Sequence, residues 1–162
     1  MIVALVPLLL TLLISMPQGE NGKARGKPSK PQLASYQTLS ICTALIVWSI
    51  DNPPEGDYLE ENGFPRVDFG LGIRISIKKL EGMLVPKYFD KLPGPDPWGH
   101  PYEVVQNKDP KQPWSWAVRS RGPDGHFCSE TYLVPQPDWD RCDDIVRVDG
   151  VLVAGPERLE EE

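Results

Sequence analysis

Several chemistries are missing from this 162-residue chain. It has only two histidines, His100 and His126, and both fall in Gly/Pro-rich stretches that read as turns. There is no G-x-S-x-G, no H-E-x-x-H and no P-loop, and Gly70-Leu71-Gly72 lacks the third glycine and flanking strand of a dinucleotide fingerprint. No catalytic residue is assigned on these grounds, and the expectation is a protein that is not an enzyme. Basic residues are too few for a nucleic-acid surface: Lys+Arg 17 stand against Asp+Glu 23, a net charge of −6. Repeats and coiled-coil heptads are absent, which removes solenoids and long zippers. The three cysteines contain no C-x-x-C pair, so a zinc centre from His126, Cys128 and Cys142 has no support in spacing.

What is present is proline and glycine, Pro 18 and Gly 14, with 40% hydrophobic and 25% charged residues. That composition fits one modest domain with many loops and short regular elements. The first 18 residues stand apart from it. Ile2 to Met16 form an apolar run broken only by Pro7, Thr11 and Ser15, short of the roughly 20 residues of a comfortable span. The run looks like the h-region of a secretory signal, although no Lys or Arg precedes it and Lys23, Arg25, Lys27 and Lys30 follow. Cleaved signal and uncleaved anchor both stay open, and a buried core helix is the third reading. The first two imply export, to the periplasm or beyond, with the membrane touched only through this segment. In an oxidising compartment Cys128 and Cys142, which share a loop, are natural disulfide partners, while Cys42 reads as a buried free thiol.

Residues 19–31 read as a linker and 32–155 as the folded domain, followed by a charged tail over 156–162. Leu33, Tyr36, Leu39, Cys42, Ile46 and Ile50 recur every three or four positions, with Leu45 beside them, and predict an amphipathic helix that starts near Pro31 and stops at Asp51-Asn52-Pro53. Residues 53–74 read as irregular connection. Ser76 then caps a shorter helix with Ile77, Leu80, Met83 and Leu84 on one face. "YEVVQN" and "WSWAVRS" read as strands, and "DIVRVDGVLVAG" as a hairpin about Asp149-Gly150. The expected fold class is α+β, a long N-terminal helix packed on a small antiparallel sheet.

Between Gly122 and Ile145 the chain gathers Asp124, Asp138, Asp140, Asp143 and Asp144. A solvated acidic loop is the plain reading. An EF-hand fails, because Cys142 occupies the third ligand position after Asp138 and Asp140 and no Gly follows. Carboxylate pairs for glycosidase chemistry exist in number, but a calcium loop explains their clustering better, since calcium takes six to eight hard oxygens.

The order of a helix, then Leu92-Pro93, Asp96-Pro97-Trp98-Gly99 and Pro101-Tyr102, then Ser120-x-Gly122-x-Asp124-Gly125 and Asp143-Asp144-Ile145, resembles the soluble domain of the type II secretion major pseudopilins, the G-type subunits of the pseudopilus. The likeness runs from about Leu33 to Ile145. It implies a pilin-like fold, a non-catalytic role in protein secretion, and a calcium ion held by Asp124, Asp143 and Asp144, with Asp138 and Asp140 either supplementing the site or facing water. It also implies other pseudopilins or secretion-system proteins as partners. In the DPWG turn, Asp96 is expected to cap, Pro97 to fix φ, Gly99 to adopt positive φ, and Trp98 to plug the junction of helix and sheet. The sequence departs from the family in its insertion "HFCSETYLVPQPDWDRC", in the hairpin after Asp144, and at the N-terminus, where no prepilin cleavage motif is found. A Cys128–Cys142 bridge closing that insertion would contribute about 3 kcal/mol. An exported binding or adhesion module that kept the fold without assembling into filaments is the alternative function.

Overall fold

A computed structural model describes residues 27–53, 66–109, 114–133 and 143–155. Helix α1 (Lys30–Asp51) begins on a capping box. The Ser29 hydroxyl accepts from the Gln32 amide, and the Gln32 side chain accepts from the Ser29 amide. Pro31 sits in the first turn, where its missing N–H costs nothing. At the far end Asn52 donates through its backbone and side-chain nitrogens to the Trp48 carbonyl. Asp51 accepts from Lys87 and from the Tyr88 hydroxyl, which ties the helix end to the segment after the second helix.

Seven strands and one further helix follow among the described residues: β1 (Arg66–Asp68), β2 (Ile73–Arg74), α2 (Ile77–Leu84), β3 (Glu103–Gln106), β4 (Trp116–Ser120), β5 (Thr131–Leu133), β6 (Ile145–Val148) and β7 (Val151–Ala154). Five strands form an antiparallel sheet in the order β2-β3-β4-β6-β7, and β1 pairs with β5 in a separate two-stranded sheet. The class is therefore α+β, with a helix laid on an antiparallel sheet. Asp149 and Gly150 both take positive φ, 45° and 85°, as a tight two-residue hairpin turn requires. The Asp149 carboxylate, pushed up in pKa by burial, accepts from the Ser115 and Trp116 amides and so fixes the start of β4.

Strand β4 is buried along its whole length, and its alternation sorts two cores. Trp116 and Val118 face the helices with Ile41, Cys42, Leu45, Leu80, Leu84, Tyr102 and Val104. Ala117 faces the other way, into a cluster with Val67, Phe69, Val105, Tyr132, Val146 and Val148. This second layer, roofed by β1 and β5, was not expected. Residues 66–68 and 73–74 form strands where an irregular connection was predicted, and the insertion supplies β5. Strands of two or three residues show no period that a sequence pattern can register.

The buried stripe of α1 also differs from the expected one. Leu33, Tyr36 and Ile50 are 38%, 43% and 71% exposed, while Ala34, Ser35, Thr38, Ile41, Cys42, Ala44 and Leu45 are buried. From Pro31 to Ile50 there is no charged residue, so hydrophobicity alone does not choose a face. The small side chains at 34, 35 and 38 fall on the buried face, where bulky ones would have to be accommodated. Arg147 of β6 donates to the Ser35 hydroxyl and carbonyl, and the Cys42 thiol, pushed up to about 12 by burial, donates to the Arg147 carbonyl.

Candidate cation site and the insertion that covers it

The sequence segments that carry the resemblance meet in space. Asp96, 3% exposed, accepts through Oδ1 from the Trp98 and His100 amides at 3.1 and 2.8 Å, while its own carbonyl accepts from the Gly99 amide. Its second oxygen accepts from the Ser120 hydroxyl at 2.6 Å, and Ser120 Oγ in turn accepts from the Gly122 amide at 3.2 Å. One buried carboxylate thus closes the DPWG turn and links it to the GPDG turn. His100 packs beside Gly125, with its Nδ1 3.8 Å from Asp96 Oδ1. Gly99 has φ 97°, as its place in the turn demands. Tyr102 is buried and donates to Gln37 of α1 at 2.6 Å; burial raises its pKa. Pro97 is half-buried and Pro101 exposed.

Trp98 does not plug the junction. It is half-buried, and Trp116 fills that place, 1% exposed, its ring edge-on to Trp48 at 6.1 Å and its indole N–H donating to Ser49 Oγ at 2.7 Å. Trp98 belongs to the turn that Asp96 closes, whereas Trp116 stands on the middle strand of the five and packs with residues of the helix.

Asp96→Ala removes two carboxylate oxygens that accept from three donors, the Trp98 and His100 amides and the buried Ser120 hydroxyl, and the folded state is expected to lose about 2–4 kcal/mol in urea unfolding, well beyond a surface change. Asp96→Asn, which keeps part of the network, should lose less.

The GPDG turn lies against the segment that leads into β6. A Cβ on Gly122, which has φ 63°, would sit 2.3 Å from the Asp143 carbonyl oxygen, so only glycine permits this approach. Asp124 is exposed and accepts from the His126 amide through Oδ1. Asp143 is exposed and Asp144 is 1% exposed. Asp144 Oδ2 accepts from the Tyr132 hydroxyl at 2.6 Å and the Cys128 amide at 2.9 Å, and Cys128 Sγ lies 2.9 Å from the same oxygen. Asp144 Oδ1 is buried and has no hydrogen-bond partner. Burial raises the Asp144 pKa, Tyr132, Cys128 and Arg119 oppose that rise, and the nearby Asp124 charge adds to it.

Among the described residues, no three His, Cys, Asp or Glu side chains converge as a ready-made metal centre. Asp124 lies near enough to Asp144 to push its pKa up, and the Asp143 carbonyl faces Gly122 of the same GPDG turn. The donors at hand, carboxylate and carbonyl oxygens, are of the hard type that calcium takes. A buried carboxylate oxygen without a donor, with a second carboxylate raising its pKa, is a place that positive charge would relieve. Asp138, Asp140 and Cys142 lie outside the described residues. Cys128 is disulfide-bonded, and Cys42 is a free thiol.

A cluster of charged residues without a motif adjoins Asp144 through Tyr132. Arg119, fully buried on β4, has its guanidinium 4.1 Å from the centre of the Phe69 ring and 3.5 Å from that of Phe127. It donates to the Ser129 carbonyl at 2.8 Å, to Glu130 at 3.0 Å, to Glu103 at 3.2 Å and to the Tyr132 hydroxyl at 3.4 Å. Burial pulls its pKa down, but Tyr132, Glu103 and Glu130 outweigh that and the net direction is up. Arg74 closes the ring of charges, at 2.7 Å from Glu103 and 3.2 Å from Glu130. An arginine inside the strand run "WSWAVRS" was the available signal, since an interior strand position needs a partner for such a charge.

Comparison with family models, with curated proteins and with solved structures finds no match to this chain.

Proposed function

We propose that this chain is an exported, non-catalytic, calcium-stabilised domain of the pseudopilin kind, a component or relative of the type II secretion apparatus. The observation that carries this reading is Asp144. Its carboxylate is buried with one oxygen anchored and the other without a partner, close enough to Asp124 for that charge to raise its pKa. Support also comes from the joint made by Asp96 and Ser120. It gives a physical reason for the DPWG and GPDG segments to occur together, as the resemblance has them. A long N-terminal helix on an antiparallel sheet agrees with a pilin-like fold at the level of class.

On this reading Asp144 Oδ1, Asp124 and Asp143, with carbonyls of the same turns, would hold the ion. Calcium would supply charge neutralisation and a crosslink between the end of β4 and the start of β6. Other pseudopilins or assembly proteins of the secretion machinery would be the partners, and co-purification with them from cells tests that part.

The calcium part is tested by melting the purified protein. At about 1 mM calcium, a site with a dissociation constant near 10–100 μM contributes roughly 1.4–2.7 kcal/mol, or a rise of about 5–10 °C over chelator for a domain of this size. Asp144→Asn should melt in chelator no lower than the wild type, because it removes a buried charge, and should show no rise with calcium. Equal melting of the wild type in calcium and in chelator would sink the calcium reading.

A further inference from the structure

The insertion supplies both groups that anchor Asp144. The Cys128 amide and the Tyr132 hydroxyl hold Oδ2 at 2.9 and 2.6 Å, and this hold leaves Oδ1 as the oxygen without a partner. Cys128 is disulfide-bonded, and its sulfur lies 2.9 Å from that same Oδ2. Tyr132 is fully buried, its ring edge-on to Phe69 at 5.7 Å, and its hydroxyl is bonded by Arg119. We infer that the disulfide at Cys128 sets the cation affinity of the Asp144 site, so that reducing it weakens cation binding and binding the cation protects the bridge from reduction.

The inference rests on the calcium reading above and adds its control. A covalent tie at Cys128 fixes the amide that orients Asp144 before any ion arrives, so binding pays little ordering entropy. Two electrons and two protons from a dithiol such as dithiothreitol cleave the S–S bond, leaving Cys128 and its partner cysteine as thiols and the reductant as a cyclic disulfide. The segment then gains conformational freedom, and the amide and sulfur no longer sit by constraint on Oδ2. Because the two equilibria are linked, the factor by which reduction weakens the cation is the factor by which the cation opposes reduction.

Radiocalcium equilibrium dialysis of the full chain, with the bridge intact and after reduction and alkylation, tests this, with far-UV circular dichroism to follow the fold. The expected result is binding at least about tenfold weaker in the reduced form, together with a matching fall in the reduced fraction when calcium is added to a fixed dithiothreitol redox buffer. Equal affinity in the two forms, or tighter binding in the reduced one, overturns the inference and leaves the calcium reading standing. No binding in either form overturns both. Should reduction unfold the chain, Tyr132→Phe with the bridge intact decides instead. A severalfold loss of affinity supports control through the anchored oxygen, and wild-type affinity overturns it.

Discussion

Arg119→Ala is expected to destabilise the protein by about 3–5 kcal/mol, since a buried ionic partner is removed and its acids are left behind. Glu103 has only 15% of its side chain exposed and would keep Arg74 as its one ion-pair partner among the described residues, while the Ser129 carbonyl would lose the donor that Arg119 provides. The loss is also one of packing, because the guanidinium fills the space between Phe69 and Phe127. Arg119→Met separates the two effects: it keeps most of the volume and should recover part of the loss. Arg119→Lys should remain well below wild type, since an ammonium neither stacks flat between two rings nor donates in a planar fork. Urea unfolding of the three variants gives the ranking. Arg119→Ala should also weaken the calcium response, through Tyr132.

Trp116→Ala should cost about 3–5 kcal/mol, the range for deleting a large ring from a tight core. Trp116 is 1% exposed, meets Trp48 edge-on and gives its indole proton to Ser49, so truncation opens a void between β4 and α1 and orphans a hydroxyl. Trp116→Phe retains an aromatic contact and should cost about half as much. Trp98→Ala is the comparison that matters. Half-buried in the DPWG turn, it should cost about 1 kcal/mol. Were the two tryptophans to exchange these magnitudes, the placement of the core would be wrong.

These two residues show what could be read in the sequence. Elements with a clear period or a strong turn were legible: α1 through its proline-bounded apolar run, α2 through Ser76, and β6–β7 through Asp149-Gly150. The face of α1 was not, because apolar residues surround the helix and Ala34, Ser35 and Thr38, which are buried, carry little hydrophobic signal. Nor was the second layer. β1 and β5 are three residues each, and their pairing joins distant stretches of chain, Arg66 to Leu133 at one end and Asp68 to Thr131 at the other. Such closure between distant stretches leaves no local pattern.

The candidate site was half legible. Aspartates at 124, 143 and 144 stood out by type, and the structure puts Asp124, Asp144 and the Asp143 backbone about one turn. The groups that decide what Asp144 does were hidden. Tyr132 and Cys128 come from a stretch that reads as an insertion into a loop, and Arg119 reads as a strand residue. Ser120 was seen as part of a motif, but its link to Asp96 depends on β3 and β4 standing side by side, with Glu103 opposite Arg119. Sequence spacing names candidate ligands; the strand register brings their anchors to them.

The central claim is that a hard cation completes Asp144. Isothermal titration of calcium into the chelator-stripped full chain tests it most directly, alongside the same titration of Asp144→Asn. The account predicts a saturable heat with one site per chain in the wild type and none in a variant whose circular dichroism is unchanged. Absence of calcium heat in the wild type, or binding that survives Asp144→Asn at full strength, would contradict it.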